Sequence, residues 1–508
     1  MSPRLKRLIV ALVASTLALA GCSSSSGDGG SSDSGTKFEG DKVTLGLVAE
    51  PASLDFTSTD GAAIPQLLLD NVYETLVKVD AKGDFQPSLA TAWKISDDRL
   101  TYTFTLTDKA KFTNGKAFTA DDAKFSIERV KSAWTVKLKK QMDVVESVTV
   151  NSPTELVVKL AHPSNSWLYS MTTRIGAMFS ADGVADLANT PVGTGPYKFS
   201  DWKRGDEITL VRNEDYWGKA PHFKTVVWKY FKDATSMNNA LLGGTIDVVT
   251  TVQAPEALDQ FTSGPKAAGF QVIEGTTNGE VVLSFHQTQG PLADVKVRQA
   301  IRYGIDHKKL MDNCWAGKGE LIGSMVPPTD PWYEDRTKDF PYDEAKAKEL
   351  LAQSGQSNIT LRLRLPSLPY AQSCGPEVQS QLSKIGINVV IDTLEFPAAW
   401  VKTVMTDQDF DMSIVAHVEP RDLPSLFATP AYYTSYNNPQ VQQLVAEADA
   451  GSQQDQVSKM KEAAKIISQD AAADFLFLLP NLIVAKDGIQ GLPKNAIGES
   501  LRIADLTA

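Results

Sequence analysis

The chain has 508 residues, enough at about 150 per domain for two or three lobes. It is 42% hydrophobic and 22% charged, a balance that excludes a disordered or fibrous chain. Its formal net charge of −11 provides no basic footprint for nucleic acid, and 5 His with 3 Cys are too few for a metal-rich protein.

Residues 1–21 read as an export signal. Arg4, Lys6 and Arg7 form a positive start, and the next 13 residues, 8–20, carry no charge. As a helix that run would span roughly 20 Å, short of a ~30 Å hydrocarbon core, so it fits a signal peptide and not a membrane span. It ends in Leu19-Ala-Gly-Cys22, which resembles the lipobox of bacterial lipoproteins. The resemblance implies cleavage before Cys22, a thioether-linked lipid on its sulfur, and acyl chains of the palmitate type. Two or three such chains, at ~0.8 kcal/mol per buried CH₂, anchor persistently where one would not. Residues 22–37 then form a Ser/Gly-rich run with no aromatic or aliphatic side chain, a flexible tether of roughly 20 Å. A lipid, a tether and a large acidic body make a receptor displayed on the outer face of the cytoplasmic membrane.

The body mixes strands and helices. Residues 42–48 and 101–107 alternate apolar and polar side chains, the period of half-buried strands. Residues 148–158 read as a hairpin turning at Asn151 to Pro153. Thr119, with Asp122 three residues on, caps a helix carrying Ala123, Ile127 and Val130 on one stripe. Past residue 291 the texture changes. Asp294, Asp306 and Asp343 each open a helix, the third ending at Gly355. A strand at 360–365, a helix carrying Val378, Leu382 and Ile385, and a strand at 388–393 give the alternation of an α/β layer. Helices follow at 439–450 and 455–470, then a buried apolar run at 475–480. Beyond the anchor residue, Cys314 and Cys374 are an even pair in an oxidising compartment. They read either as a disulfide, contributing ~4 kcal/mol by loop closure, or as two buried thiols.

Several segments, in order, resemble the extracellular solute-binding proteins of family 5, the peptide- and nickel-binding receptors of ABC importers. They are Glu50-Pro-Ala-Ser-Leu-Asp55; Asp70-Asn-Val-Tyr-Glu-Thr-Leu-Val77; Gln86-Pro-Ser-Leu-Ala90 with Trp93; and Asn114-Gly-Lys-Ala-Phe-Thr-Ala-Asp-Asp122. Gly193-Thr-Gly-Pro-Tyr197, with Asn213, Tyr216 and Trp217, and Asp294-Val-Lys-Val-Arg-Gln-Ala300 complete the set. The pattern departs at Thr107, where Arg or Lys is usual, and at Asn114, where Asp is usual. The resemblance implies an α/β, two-lobed fold of the periplasmic-binding-protein type, in its large class with an extra subdomain in lobe one. It places lobe one at 38–287 plus 480–508, the insert at about 80–215, and lobe two at 290–478. Two crossings would lie near 284–291 and 475–480, with ligand enclosed between the lobes.

No phosphate-cradling loop, metalloprotease helix or nucleophile elbow is present, so the chain reads as a binder and not an enzyme, without a cofactor. An enclosed peptide needs partners for its backbone, a carboxylate for its ammonium and a cation for its carboxylate. In peptide receptors of the family the ammonium-binding Asp lies in a segment written W-x-x-D-x-x-D-P. The stretch here is Ala416-His-Val-Glu-Pro-Arg-Asp-Leu-Pro424, with His417 at the Trp position and Glu419 or Asp422 as the acid. Asp422 is the expected ammonium partner, with Glu419 in reserve and Arg421 supporting the acid or meeting the peptide carboxylate. Glu50 and Ser53 in the opening loop, Asn278 and Glu280, and Tyr433 are further ligand-binding candidates. His417 with Glu419 offers a metal no evident third ligand, so no metal site is expected.

The expected partners are a di- or oligopeptide or another small solute, ABC permease subunits with their cytoplasmic ATPases, and the membrane through the lipid, for a monomer that binds no nucleic acid. A receptor for a nickel chelate or other solute, or a cell-envelope interaction protein reusing the fold, are the alternatives.

Overall fold

The alternating residues at 42–48 become the strand Lys42–Leu47, which pairs in parallel with both Thr225–Tyr230 and Val248–Val249. It belongs to a ten-stranded mixed sheet in a computed structural model that describes residues 38, 40–48, 50–263 and 267–508. The export signal, the lipidation at Cys22 and the tether at 22–37 lie outside the described residues. Across the sheet the strands run Asn388–Leu394, Thr360–Pro366, Met412–His417, Phe270–Phe285, Ala473–Lys486, Val248–Val249, Lys42–Leu47, Thr225–Tyr230, Glu207–Arg212 and Tyr197–Lys203.

Two long strands carry the chain between the halves of this sheet. Phe270–Phe285 and Ala473–Lys486 pair antiparallel, and their register shifts between Thr276 and Glu280. Before the shift, Phe270 to Thr276 faces Lys486 to Pro480; after it, Glu280 to Ser284 faces Leu478 to Ala473 and also pairs with Met412–His417. At the break Thr277 Oγ1 donates to the Leu479 carbonyl at 2.7 Å and accepts from the Gly279 N–H at 2.9 Å. A passage at 284–291 is not what the ladder shows. Ser284 and Phe285 still pair with Ser413 and Met412, inside the second half.

Each half has its own core. Val43, Leu45, Phe56, Tyr73, Trp134, Trp167, Phe179 and Trp228 pack in one, which also takes Ile483, Ile503 and Leu506 from the C-terminal segment. Val281, Leu283, Phe285, Ile301, Leu310, Leu363, Val378 and Ile414 form another on one face of the second half. A third, with Val282, Trp332, Phe427, Val441, Ala464 and Phe475, lies on its other face. Alternation along the Phe270–Phe285 strand explains the division, because Val281 and Val282 point to opposite sides. A separate four-stranded antiparallel sheet, Ala90–Ile95, Thr101–Leu106, Glu155–Leu160 and Val145–Ser152 in that order, covers the middle of the expected insert. The later stretch, Tyr197–Lys203 and Glu207–Arg212, joins the main sheet.

The helix starts follow their caps. Thr119 and Asp122 form a capping box on Ala120–Ala133, and the Asp294, Asp306 and Asp343 side chains accept first-turn N–H groups of Val295–Gly304, His307–Cys314 and Glu344–Ser354. One helix is longer than its pattern predicts: Pro369–Lys384 runs through Gly375-Pro376. Proline there removes one backbone bond, yet buried Tyr370, Ala371, Cys374, Val378 and Leu382 hold the helix against the sheet. Cys314 and Cys374 are disulfide-bonded, with 4.9 Å between their Cα atoms, joining this helix to His307–Cys314.

Candidate functional site

The ladder of the second half fixes the first feature of the site, because Glu280 stands directly opposite His417. His417 is 7% exposed, and burial lowers its pKa to about 3, so the ring is neutral. Its Nε2 lies 3.0 Å from the Tyr433 hydroxyl, which lies 2.6 Å from Ser284 Oγ. Its Nδ1 lies 3.7 Å from Asp422. Glu280 is 3% exposed and its Oε2 has no hydrogen-bond partner. Burial, and then the charge of Asp422, push its pKa well above the usual carboxylate range. Asp422, 9% exposed, is likewise pushed well up, by burial first and then by Glu419 and Asp330.

Adjacent Arg421 and Asp422 would point opposite ways on an extended chain. Arg421 instead adopts φ 59°, in the left-handed region, and Asp422 follows as the N-cap of the short helix Leu423–Phe427. The kink aims both side chains usefully. Asp422 turns in beside His417, while the Arg421 guanidinium lies 3.9 Å over the Tyr169 ring and 5.1 Å from that of Trp332. Arg421 also forms a salt bridge with Asp330 at 3.7 Å. Burial raises the Asp330 pKa to about 6, and the Arg421 charge opposes that rise. Glu419, half exposed, lies 4.0 Å from Arg174, whose guanidinium pairs with Glu499 at 2.8 Å.

Four of the expected residues from the 416–424 segment therefore gather with Glu280 and Tyr433. The other candidates sit elsewhere. Asn278 is buried and donates to the Ile497 carbonyl at 2.8 Å. Glu50 accepts from Trp202 Nε1 at 2.7 Å and from the Gly205 N–H at 2.9 Å, which ties the opening loop to a turn. Ser53 accepts from the Asp55 N–H at 3.1 Å within the same loop. Asp330, Trp332, Tyr169, Arg174 and Glu499 complete the cluster without any local pattern in the sequence that marks them. They come from three separate stretches, 169–174, 330–332 and 499, and only the fold brings them together.

A second set of contacts joins the extra sheet's neighbourhood to the second half, away from the acids. Asn165 Nδ2 donates to the Ala448 and Gly451 carbonyls at 2.9 and 2.8 Å, and the Ser166 N–H donates to Asp449 at 2.8 Å. Arg99 donates to the carbonyls of Ala450 and Gly451. These are the C-terminal carbonyls of the helix Pro439–Ala450 and its cap, groups that lack partners within the helix.

The motif residues quoted above mostly build the frame. A Cβ on Gly193 would sit 1.9 Å from the Val72 carbonyl oxygen, so only glycine lets this turn lie against the Asn71–Val72 backbone. Glu74 is buried and accepts from Thr194 Oγ1 at 2.8 Å, Tyr216 OH at 2.8 Å and Trp217 Nε1 at 2.9 Å. Burial raises its pKa to about 7 against those three donors. Among the described residues no group of three or more His, Cys, Asp or Glu side chains is placed to hold a metal ion. No helix among them is long and apolar enough to cross a membrane.

Two sheet halves joined by paired strands, each with its own core and with charged groups facing across them, define a two-lobed solute-binding fold. Residues 84–439 match the model of the bacterial extracellular solute-binding proteins, family 5 Middle, and the chain belongs to that family. Its members are extracytoplasmic binding receptors of transport. The chain is 28% identical over 516 residues to the heme-binding protein A of Haemophilus influenzae, covering 91% of each. It is 26% identical to a probable D,D-dipeptide-binding periplasmic protein of Escherichia coli, covering 91% of this chain and 93% of that one. The fold is similar to that of a Helicobacter pylori periplasmic binding protein solved with the peptide STSA, at a TM-score of 0.81 and 24% identity, covering 92% of this chain and 98% of that one.

Proposed function

We propose that the chain is a lipid-anchored receptor of an ABC importer that captures peptides by their free amino terminus. The observation that supports this reading is the pair of buried, cation-free carboxyls at Glu280 and Asp422. Neither forms a salt bridge with a Lys or Arg among the described residues, and the adjacent histidine is neutral. An organic ammonium supplies the missing charge, and Asp422 is its primary partner. Arg421, already balanced by Asp330, is available to the peptide carboxylate. The two-strand passage at Thr276–Glu280 and near Leu479 acts as the hinge. Lobe one then comprises the sheet half and cores before that break plus the C-terminal segment, and lobe two the remainder.

Calorimetry with Ala-Ala-Ala and N-acetyl-Ala-Ala-Ala tests the amine reading. Binding of the free peptide, with loss of at least tenfold on acetylation, is expected. Equal affinities for the two would remove the amine clamp. For the anchor, Cys22→Ala should move the protein from the membrane to the soluble fraction; retention in the membrane fraction would exclude lipidation as its attachment.

A further inference from the structure

We infer that Glu280 is a second cation-binding carboxylate beside Asp422, so that the preferred ligand carries two positive charges at its amino-terminal end. The ligand class is then a free-amine peptide whose first residue is basic. This rests on the amine-clamp reading above and extends it to a residue and a charge count.

The argument is one of charge and hydrogen bonding. Among the described residues, these charged and titratable groups gather around Glu280. His417 faces it across the ladder, Asp422, Glu419 and Arg421 come from the loop after that strand, Asp330 from the 327–333 turn, and Tyr432 and Tyr433 from the segment beyond. Arg421 answers Asp330 and Arg174 answers Glu499, with Glu419 half exposed at the rim. Glu280 and Asp422 remain, two carboxyls for which the described residues provide no cation. Glu280 is the more telling of the two. It is 97% buried by its 3% exposure, and its Oε2 meets no donor. A buried polar atom without a partner costs about 1–3 kcal/mol, a cost that a donor on a bound ligand would offset. Glu74 in the same molecule has three protein donors.

One ammonium on Asp422 leaves Glu280 to hold its proton. A second ammonium lets both carboxyls ionise against opposite charges, which exploits the low-dielectric setting in place of opposing it. A divalent metal is the wrong occupant, since the described residues offer no three-ligand set there. Loading of a dicationic ligand should also release protons, so its affinity should rise with pH across the range in which these carboxyls hold them.

Calorimetry with Lys-Ala-Ala and norleucine-Ala-Ala, whose first side chains are close in length, tests the inference on the unmodified protein. Lys-Ala-Ala should bind at least tenfold more tightly. In Glu280→Gln that ratio should fall below threefold, with circular dichroism confirming the fold. Equal affinities in the unmodified protein would overturn the role of Glu280 while leaving the amine clamp standing. A lysine preference that survives in Glu280→Gln would also overturn it, placing the second cation site elsewhere. If neither free peptide binds, the peptide reading fails and this inference fails with it.

Discussion

Glu74 and Glu280 are both buried carboxyls, and their surroundings are opposite. Glu74 receives three hydrogen bonds from side chains that the family motifs supply, in a region packed on both sides by the first core. Glu280 lies beside another acid, with one oxygen that meets no donor at all. Burial alone therefore says little about role. A satisfied carboxyl holds a frame together, whereas an unsatisfied one next to a like charge stores a requirement that a ligand can meet. The largest test of that contrast lies at Asp422. Removing one partner of a buried ion pair costs ~3–5 kcal/mol, so Asp422→Asn should weaken a free-amine peptide a hundredfold or more. The N-acetylated peptide should be affected far less. A loss under threefold for the free peptide would show that Asp422 is not the ammonium partner.

The contrast also predicts opposite stability effects. Glu74→Ala leaves the Tyr216, Trp217 and Thr194 donors without their acceptor, at about 1 kcal/mol or more each, so roughly 3 kcal/mol of stability should be lost in urea unfolding. Glu280→Gln replaces a buried carboxyl that holds its proton by a neutral amide of nearly the same shape, and should change stability by less than ~1 kcal/mol. If Glu280→Gln proved as damaging as Glu74→Ala, Glu280 would belong to the frame.

Much of the frame was legible in the sequence, for physical reasons that differ by element. Asp294, Asp306 and Asp343 announce helix starts because an N-cap is a local hydrogen bond, readable from a few residues. The hairpin at Val145–Ser152 and Glu155–Leu160 is equally local. The long strand Phe270–Phe285 was not legible as one element, since its two ends lie in different environments and only its second half is uniformly buried. The start of Pro369–Lys384 was hidden by Gly375-Pro376, a sequence that ends most helices, because tertiary packing outweighs one lost backbone bond. The candidate segment from His417 to Asp422 is legible only through the family resemblance. The bend that aims it depends on a positive φ at Arg421, which no propensity rule assigns to arginine. Glu50 meets the same limit: an acid in an opening loop looks the same in sequence whatever it pairs with, and here it accepts from Trp202 and a turn N–H.

The pH dependence of stability sharpens the comparison from the side of the frame. Burial raises the Glu74 pKa from 4.5 to about 7, so the folded protein binds this proton more tightly than the unfolded chain does. The stabilisation is fully present below the unfolded value and is lost as pH rises through the folded one, the window being about 4.5 to about 7. Glu74→Gln should flatten the fall in stability over that window by about 1–3 kcal/mol relative to the unmodified protein. An unchanged slope would assign the titration to other acids, with Glu280 and Asp422 the first to examine by the same substitution.

The smallest expected effect comes from the contact between Asn165 and the end of the Pro439–Ala450 helix, made by a neutral amide outside the Glu280 and Asp422 cluster. The last carbonyls of a helix lack partners within it, and here Asn165 and Arg99, from the neighbourhood of the four-stranded sheet, supply them. A hydrogen bond of this kind contributes about 1 kcal/mol net, whether it serves the resting fold or the approach of the two halves. The two uses have different signatures. If the contact forms as the halves close on ligand, its energy belongs to binding, and Asn165→Ala should weaken peptide affinity about threefold to tenfold. Thermal stability without peptide should then stay within ~0.5 kcal/mol, as for an ordinary surface substitution. Small-angle scattering with saturating peptide should still show compaction in the variant, at a higher peptide concentration than the unmodified protein needs. A lowered thermal stability with unchanged affinity would place the contact in the resting fold, and closure would then rest on the ligand and the Arg174, Glu419 and Arg421 group alone.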